Sequence, residues 1–598
     1  MTCIRCRVVT RWLPLGAAIL FWMPALATAA DRPDAARLLP ENTVLYVRFP
    51  VTAETVAKFK ETAIGRITQD PAMQPFVSQL YGSAIEAFKR AEDQIGASLD
   101  DLLSIPQGEM CLAIVTPEES RPTIVFLVDV GPRLPMVEKL LNRIAQGIEN
   151  DGSTRSAETL GDTKLTIFDR PGDETQQAVF AVRDNVVLVT SDLEVTKGML
   201  NAWSGKRAEG VRSLADNPNF AAVMRRCAGT EDQPPQVEFF IDPVTLFSRA
   251  SRGNVGAQTL VALFPALGVN GVRGIGGSMT FAAEDFDAIT HLHLLLDSPR
   301  QGVLELIAPR AGDTTPENWV PADAASYMTV NWDLGKTYAS FASLYDKIRG
   351  EGALASSFER EVKDRLGIDF RKDVVDALAG RVTLVNAMVR PARLNSRANL
   401  LGVKLKDAKA FEKTLETVIA KAGPQMSRDT FAGVTIYRVP ARKPRAKEPP
   451  NRPLIRQPDP AVAIVDDYLL LTDALDLLKQ AIVAKSNASQ SLADQLEFRL
   501  VASKIRSQPG GERASLIAFD RPEEALRLWY EIANAETTRQ RLSQGAENNR
   551  FFRAVNDALR DHPLPPFAVL ARYLAPSGSL LTDDETGLHY TGFTLRRK

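Results

Sequence analysis

The residues most able to bind a metal are the histidines, and the chain has only four: His291, His293, His562 and His589. His291 and His293 are two positions apart, so a strand would place both side chains on one face, where they could share a metal ion. No cysteine or third histidine lies close to them in the sequence. We therefore interpret the pair as ordinary strand histidines, and the sequence predicts no metal site.

Three short acidic clusters are the next candidates, either as cation ligands or as an acid/base pair. They are Glu284-Asp285, Asp466-Asp467 and Asp583-Asp584-Glu585. Each falls where two predicted strands meet, and aspartate favours such turns because its side chain bonds to the local backbone. The spacing of a calcium loop, with a central glycine and a glutamate at position twelve, is absent. We interpret all three clusters as hairpin turns.

A glycine-rich stretch, Gly268–Ser278, has the sequence GVNGVRGIGGS and invites comparison with a phosphate-binding loop. It matches neither G-x-x-x-x-G-K-[ST] nor G-x-G-x-x-G, and a strand rather than a helix is predicted to follow it. We expect a flexible loop before an edge strand. No G-x-S-x-G elbow occurs either, so a hydrolase nucleophile has no support. The sequence thus predicts neither catalytic residues nor a cofactor.

Segment 441–460, ARKPRAKEPPNRPLIRQPDP, is the one patch with a strong chemical character, because it is basic and rich in proline. One interpretation is a solvated, extended loop that joins two strands. The other is an arm that docks on an anionic partner: lipid headgroups, a cell-envelope polymer or an acidic protein surface. The candidate contact residues are Arg442, Lys443, Arg445, Lys447, Arg452 and Arg456.

The N-terminus has the pattern of an export signal. Three basic residues precede an apolar run, with Arg5, Arg7 and Arg11 ahead of Leu13–Leu26. The run contains two prolines and is shorter than a membrane span of about 20 residues, so we expect cleavage near Ala29 or Ala30 and a periplasmic or secreted protein. The alternative is an uncleaved anchor formed by residues 13–30, and only then do we expect contact with a membrane.

The charge of the whole chain argues against nucleic-acid binding. Lys and Arg total 72, Asp and Glu total 73, and the formal net charge is −1, so no global field attracts a polyanion. Of the four cysteines, Cys3 and Cys6 lie in the export signal, and their spacing is therefore not interpreted as a redox motif. Cys111 and Cys227 remain, and export would permit them to pair. We favour two buried free thiols, because Cys111 lies in an apolar strand.

A duplicated pattern organises the chain of 598 residues. Ala461–Lys485 is predicted to form a strand, an Asp466-Asp467 turn, a second strand and a helix, and Ala178–Trp203 has the same plan. Alignment of the two stretches places Asp184 on Asp466. The pattern predicts a signal at 1–30, a first unit at 38–309, a linker at 310–317, and a second unit at 318–598.

These units are predicted to be homologous copies with an α+β fold. Their strands follow one another as hairpins or through helices, which favours a largely antiparallel sheet with helices packed on one face. Two local predictions are specific. Lys164–Phe168 and Val434–Tyr437 are each expected to be a single strand that precedes the hairpin, and Ser191 and Glu194 are expected to form a capping box.

The order of these motifs resembles a family. An export signal, a P-x-x-x-x-x-Y strand, GIDF…DVV…GRV from Gly367 and the hairpin DDYLLLTD from Asp466 resemble a bacterial secreted family of unknown function, DUF3352-like, in two tandem copies. The similarity covers most of both units and is best in the second. The resemblance implies an exported protein without an assigned reaction and supplies no catalytic residues.

A signal, two α+β modules and missing catalytic motifs favour an exported, non-enzymatic binding or structural protein of the bacterial cell envelope. Its expected partner is an envelope protein or polymer. Two alternatives stay open: an extracytoplasmic enzyme whose site is assembled from sequence-distant residues, and a membrane-tethered accessory protein.

Overall fold

A computed structural model describes residues 32–117, 121–170, 177–229, 233–422, 426–439 and 455–597. The export-signal prediction therefore lies outside the described residues. The described part of the chain forms two compact units. The first contains residues up to 261 together with 273–295 and 545–565, and the second contains 262–272, 296–544 and 566 onward.

The first unit is built on an antiparallel sheet. Its strands are β1 Thr43–Phe49, β2 Met110–Val115, β3 Thr123–Asp129, β4 Thr154–Leu160, β5 Thr163–Asp169, β6 Gln177–Arg183, β7 Val186–Thr190, β8 Val237–Ile241, β9 Val272–Ala283 and β10 Phe286–Leu296. Neighbours in the sheet follow the order β4-β5-β6-β7-β3-β2-β1-β8-β9-β10. Strands β4 to β7 thus form a meander on one side of β3, and β1 lies in the middle of the sheet.

Helices in the first half of the chain fall mostly between these strands. They are α1 Ala35–Leu38, α2 Thr52–Glu61, α3 Ala63–Gln69, α4 Gln74–Ile95, α5 Leu99–Leu103, α6 Leu134–Asn150, α7 Leu193–Trp203, α8 Pro218–Cys227, α9 Pro243–Ala250 and α10 Val255–Leu267. The main core joins α1, α7 and α8 to one face of the sheet, where Tyr46, Leu127 and Leu188 are buried.

Helices also pack on the opposite face of this sheet, so the expectation that they cover one face is wrong for the first unit. Val128 and Val187 face away from the main core and form a second cluster with Val137 of α6. The reason lies in the strands: β3 and β7 carry apolar residues at consecutive positions, and such strands need cover on both faces.

The second unit also has an antiparallel sheet. Its strands are β11 Ser326–Asn331, β12 Leu378–Met388, β13 Arg397–Leu405, β14 Ser427–Phe431, β15 Val434–Arg438, β16 Ala461–Val465, β17 Tyr468–Thr472, β18 Leu516–Asp520, β19 Ser577–Asp584 and β20 Gly587–Leu595. Neighbours follow the order β14-β15-β16-β17-β13-β12-β11-β18-β19-β20. The α+β class and the antiparallel sheet are therefore confirmed.

The later helices include one that belongs to the first unit. They are α11 Leu334–Arg349, α12 Arg360–Leu366, α13 Ala408–Ala422, α14 Leu475–Ser486, α15 Leu496–Ser507, α16 Pro522–Asn534, α17 Glu536–Ala546, α18 Arg550–Asp561 and α19 Phe567–Ala571. α18 packs on α4, where the Gln79 amide donates to Asp561 at 3.2 Å. No helix in the described part of the chain has both the length and the apolar character needed to cross a bilayer.

The predicted hairpins at the centre of the sequence pattern are confirmed. β16 and β17 are joined by Asp466-Asp467, and Asp466 has a φ of +53°. At the matching position of the β6–β7 hairpin, Asp184 has a φ of +49°. Aspartate tolerates this left-handed conformation because its short polar side chain bonds locally.

Two other local predictions are wrong. The strands β5 and β15 are each the second strand of a hairpin, preceded by β4 and β14, which have few buried side chains and therefore no apolar alternation. The capping box is also displaced. Asp192, not Ser191, caps α7 by accepting from the amide of Val195, and the Ser191 hydroxyl instead accepts from the amide of Ile124.

The glycine-rich stretch is strand rather than loop from Val272 onward, which corrects the expected flexible loop. Gly276 lies in β9, between β8 and β10 in the sheet. A β-carbon on Gly276 would lie 2.5 Å from Cγ1 of Val223 and 2.6 Å from the carbonyl oxygen of Phe239. The glycine is therefore required by the close approach of α8 and β8 rather than by flexibility.

Replacement of Gly276 by alanine should lower the free energy of unfolding by about 2–3 kcal/mol, because the new methyl group overpacks the site. Gly147→Ala is the matched control. No atom of the described residues lies within 4 Å of a β-carbon at Gly147 in α6, so this change should raise stability by up to about 1 kcal/mol. Urea denaturation of both variants checks the pair, and equal effects would contradict the packing of β9.

Candidate functional site

The predicted metal and acid/base candidates form no metal centre in the described part of the chain. His291 and His293 lie on β10, and no group of three or more His, Cys, Asp or Glu residues there is arranged to hold a metal ion. Burial lowers the pKa of His291, which favours its neutral form. The three acidic clusters all lie at the tips of hairpins, as predicted.

One of these acidic turns lines a cleft of about 590 Å³ in the second unit. Its walls carry the carboxylates of Asp297, Glu305 and the Asp583–Glu585 turn, together with Arg300 and Lys336. Arg300 forms a two-pronged ion pair with Asp583 and also donates to the carbonyl of Ile307 at 2.7 Å. Arg300 therefore joins the Asp583–Glu585 turn to the segment that contains Arg300 and Ile307.

The predicted basic arm is described only at its end. Arg442, Lys443, Arg445, Lys447 and Arg452 lie outside the described residues. Arg456 is largely buried and pairs with Asp473 at 2.7 Å, and its backbone amide donates to the side chain of Asn395. Arg456 thus attaches the end of the segment to the sheet.

The two cysteines of the described chain are free and buried, in agreement with the preferred interpretation. Burial raises the pKa of the Cys111 thiol well above its usual range. Burial also raises the pKa of Cys227 to about 12, and its thiol contacts the carbonyl oxygen of Gly276 at 3.7 Å. Thiols held in this protonated form are poor nucleophiles.

Buried charge in the first unit is concentrated on Glu109, which directly precedes β2. Its carboxylate pairs with Arg32 at 2.6 Å and with Arg48 of β1, and it accepts from the backbone amide of Ala35 at 3.1 Å. Arg48 also pairs with Glu238 of β8 at 3.0 Å. These contacts attach the leader of the first unit, residues 32–42, to the middle of the sheet.

The second unit places the opposite charge at the matching position, after Gly380. Arg381 of β12 pairs with Glu317 at 3.0 Å and with Asp313 at 3.1 Å. The Arg381 and Glu317 side chains are each only 6% exposed. Burial lowers the pKa of Arg381, but Glu317 and the neighbouring tyrosine hydroxyls together raise it by more, so the pKa lies above its usual value. The leader of the second unit, residues 310–325, is attached in this way.

Sequence reasoning missed an apolar surface on the sheet of the first unit. One cross-strand row, the middle row, contains only apolar side chains from six adjacent strands: Phe239, Val47, Leu112, Phe126, Val189 and Phe180. The neighbouring side row contains Ile241, Leu45, Ile114 and Ile124. The middle and side rows together are called the open face.

The open face is solvent-exposed at its centre. Leu112, Ile124 and Phe126 are 41%, 47% and 36% exposed. The row on the other side of the middle row is covered, because Val128 and Val187 pack against α6. Towards β9, Phe59 of α2 makes an edge-to-face contact with Phe281 at 5.9 Å. Helices therefore border the open face at two ends and leave its centre uncovered.

The sheet of the second unit carries a comparable row. It runs through Met328, Leu384, Leu401, Leu471 and Val462 on five adjacent strands. Leu471 is 39% exposed, and the other four side chains are partly exposed. The signal for both rows was present in the sequence, because β7 and β17 are continuous apolar runs rather than alternating ones.

These features define an α+β protein in which the buried charges of Glu109 and Arg381 are paired and whose sheets carry partly exposed apolar rows. Residues 306–550 match a family model described as Protein of unknown function (DUF3352). The matched residues extend from before β11 to the start of α18, and they support the resemblance inferred from the motifs for one copy. No curated protein and no solved structure matches the chain significantly.

Removal of the buried positive charge by Arg381→Met should lower the free energy of unfolding by about 3–5 kcal/mol, because Glu317 is left buried without its partner. The double variant Arg381→Met, Glu317→Leu should lose less than the two single variants combined. Glu361→Gln is the control: its ion pair with Arg365 is exposed, so the change should stay within about 0.5 kcal/mol. Chemical denaturation measures all four. A loss below 1 kcal/mol for Arg381→Met would contradict a structural role of this pair.

Proposed function

We propose that this protein is an exported, non-enzymatic binding or structural protein of the bacterial cell envelope. The observation that carries the binding role is the open face, because soluble monomers rarely leave large contiguous apolar patches uncovered without an interaction that uses them. Export is supported by the basic, apolar and small-residue segments of the N-terminus.

Charged groups support the non-enzymatic part of the proposal. Buried ionisable residues are frequent at active sites, and here Glu109 and Arg381 are occupied by the leader segments of their own units. The described cysteines have raised pKa values, which disfavours a thiol nucleophile.

We further propose that the chain consists of two tandem copies of one module. Support comes from the strand order, which in the second sheet repeats that of the first, strand for strand. It also comes from the leader, since Pro40 bridges to Ser213 and Pro321 bridges to Ser491. Each core contains an edge-to-face aromatic chain at the matching place: Tyr46, Phe220 and Phe240 in one, Tyr327, Phe498 and Phe519 in the other.

The basic segment is proposed to contact an anionic envelope protein or polymer. Its candidate residues are Arg442, Lys443, Arg445, Lys447, Arg452 and Arg456. Arg456 contributes mainly as an anchor, because its guanidinium is already paired with Asp473. The attraction requires only local charge, and the near-neutral whole chain still argues against nucleic acid.

Export is tested by expression of the full chain in a bacterial host, cell fractionation and mass measurement of the N-terminus. We expect the protein in the periplasm or medium, beginning directly after Ala29 or Ala30. Recovery of an intact N-terminus in the membrane fraction would instead establish the tethered form, and a cytoplasmic, uncleaved chain would contradict export.

The basic segment is tested by reversing Arg442, Lys443 and Arg445 to glutamate. Salt-sensitive binding of the purified protein to envelope fractions should be lost. The control reverses three exposed lysines elsewhere, Lys363, Lys409 and Lys413. The net charge then changes equally, so binding should persist if the segment itself is the contact. Unchanged binding of the first variant would rule out a docking role for the basic segment.

A further inference from the structure

We propose that α10 docks on the surface of an anionic lipid bilayer, with its leucines inserted among the upper parts of the acyl chains. This membrane contact goes beyond the binding role proposed above. It requires neither the N-terminal apolar run, nor the open face, nor the basic segment. The surface consists of α10, Val255–Leu267, and of α9, Pro243–Ala250, which precedes it in the chain.

α10 is apolar and exposed along its whole length. Its 13 residues, VGAQTLVALFPAL, include no charged side chain, and none of them is buried. Val255, Leu260 and Leu263 are 79%, 47% and 49% exposed. At 3.6 residues per turn, these three side chains span about 140° of the helix surface. An apolar helix surface of this width is normally covered, either by a protein core or by lipid.

The hydroxyl groups of this segment favour lipid over a protein partner. Ser248 and Ser251 donate to the carbonyl groups four residues before them, each at 2.7 Å, and Thr259 donates to the carbonyl of Val255 at 2.9 Å. Hydroxyls that bond to their own helix can enter an apolar medium, as they do in membrane helices. A protein partner makes about one hydrogen bond per 100–200 Å² of interface, and these donors are already engaged.

The charges beside α10 complement anionic headgroups. Residues 243–271 contain two bases, Arg249 and Arg252, and no acid, although 73 of the 598 residues of the chain are acidic. Arg252 is exposed and lies three residues before Val255. Its long side chain can reach the headgroups while the leucines enter the acyl region. In a symmetric dimer on this face, the segment would instead supply arginines from both copies and no acid to pair with them.

The length of α10 determines how it lies in the membrane. A helix of 13 residues is about 20 Å long, and the hydrocarbon core of a bilayer is about 30 Å thick. α10 therefore lies in the plane of the bilayer surface, as interfacial helices do.

The test places a fluorescent reporter on α10. A chain that begins at Asp31 retains every described residue and lacks the apolar run and cysteines of the export signal. Cys111 and Cys227 are buried and have raised pKa values, so a new surface cysteine is labelled selectively. The variant Leu263→Cys carries an NBD label. With vesicles of phosphatidylglycerol and phosphatidylethanolamine, its emission should shift to the blue and rise at least twofold, and nitroxide groups on the acyl chains should quench it.

Leu496→Cys with the same label is the matched control, because Leu496 is an exposed leucine of α15, at 81%. Its emission should stay unchanged, even where another part of the protein contacts the same vesicles. The reporter thus separates insertion of α10 from binding through the basic segment.

A second measurement is flotation with the same vesicles. The double variant Leu260→Glu, Leu263→Glu should float at least fivefold less than its parent, because two carboxylates oppose insertion and repel the headgroups. Leu496→Glu, Leu500→Glu, at two exposed positions of α15, should float as the parent does. Both are made in the chain with the charge-reversed basic segment, and near-ultraviolet circular dichroism and thermal unfolding verify their folds.

Four results would overturn the inference. They are an equal response of the labels on α10 and α15, undiminished flotation of the α10 double variant, and an equal response of the α10 label to vesicles of phosphatidylcholine alone. The fourth is a dimer that Leu260→Glu, Leu263→Glu converts to a monomer, which would assign α10 to a second copy of the chain.

Discussion

In the first unit, apolar side chains occupy both faces of one antiparallel sheet. Tyr46 and Leu127 point into the core formed with α1, α7 and α8, while Val47 and Phe126, their neighbours in sequence, point the other way. Because successive side chains of a strand point to opposite faces, every residue on one face is next in sequence to a residue on the other. A strand that is apolar throughout must therefore be covered on both faces, and the main core covers only one of them.

The helices that pack on the other face of the sheet cover it incompletely. α6 packs on the row of Val128 and Val187, and α2 reaches Phe281. Between α6 and α2, apolar side chains of the central strands remain partly exposed. Leu112, Ile124 and Phe126 are already more than half buried, so covering the rest of each side chain would contribute about 1 kcal/mol. The folded chain forgoes this contribution at Leu112, Ile124 and Phe126, which is the physical basis for proposing that this surface, rather than a cleft, binds a partner.

The sequence predicted what depends on local pattern and missed what depends on distant partners. The turns at Asp184 and Asp466 follow from residue type and flanking alternation. β4 was missed because its outward side chains, such as Arg155 and Glu158, give no apolar period. Gly276 was misinterpreted because the atom that excludes a β-carbon belongs to Val223, in another element.

The same limit applies to the candidate site. Arg48 and Glu109 are 61 positions apart, and Arg381 and Asp313 are 68 apart. No spacing rule connects them, since the sheet alone brings them together. The open face was missed, although β7 is a continuous apolar run in the sequence, because which helices cover such strands depends on packing that a single sequence does not encode locally.

The sign of the buried charge has a further consequence. A glycine near the start of the second strand is followed by an acid, Glu109, in the first unit and by a base, Arg381, in the second. Each leader carries the matching opposite charge, Arg32 in one and Glu317 in the other. If the leaders exchanged places during folding, acid would meet acid and base would meet base in a poorly screened interior, at a cost of several kcal/mol. The inversion therefore disfavours the capture of either leader by the sheet of the other unit.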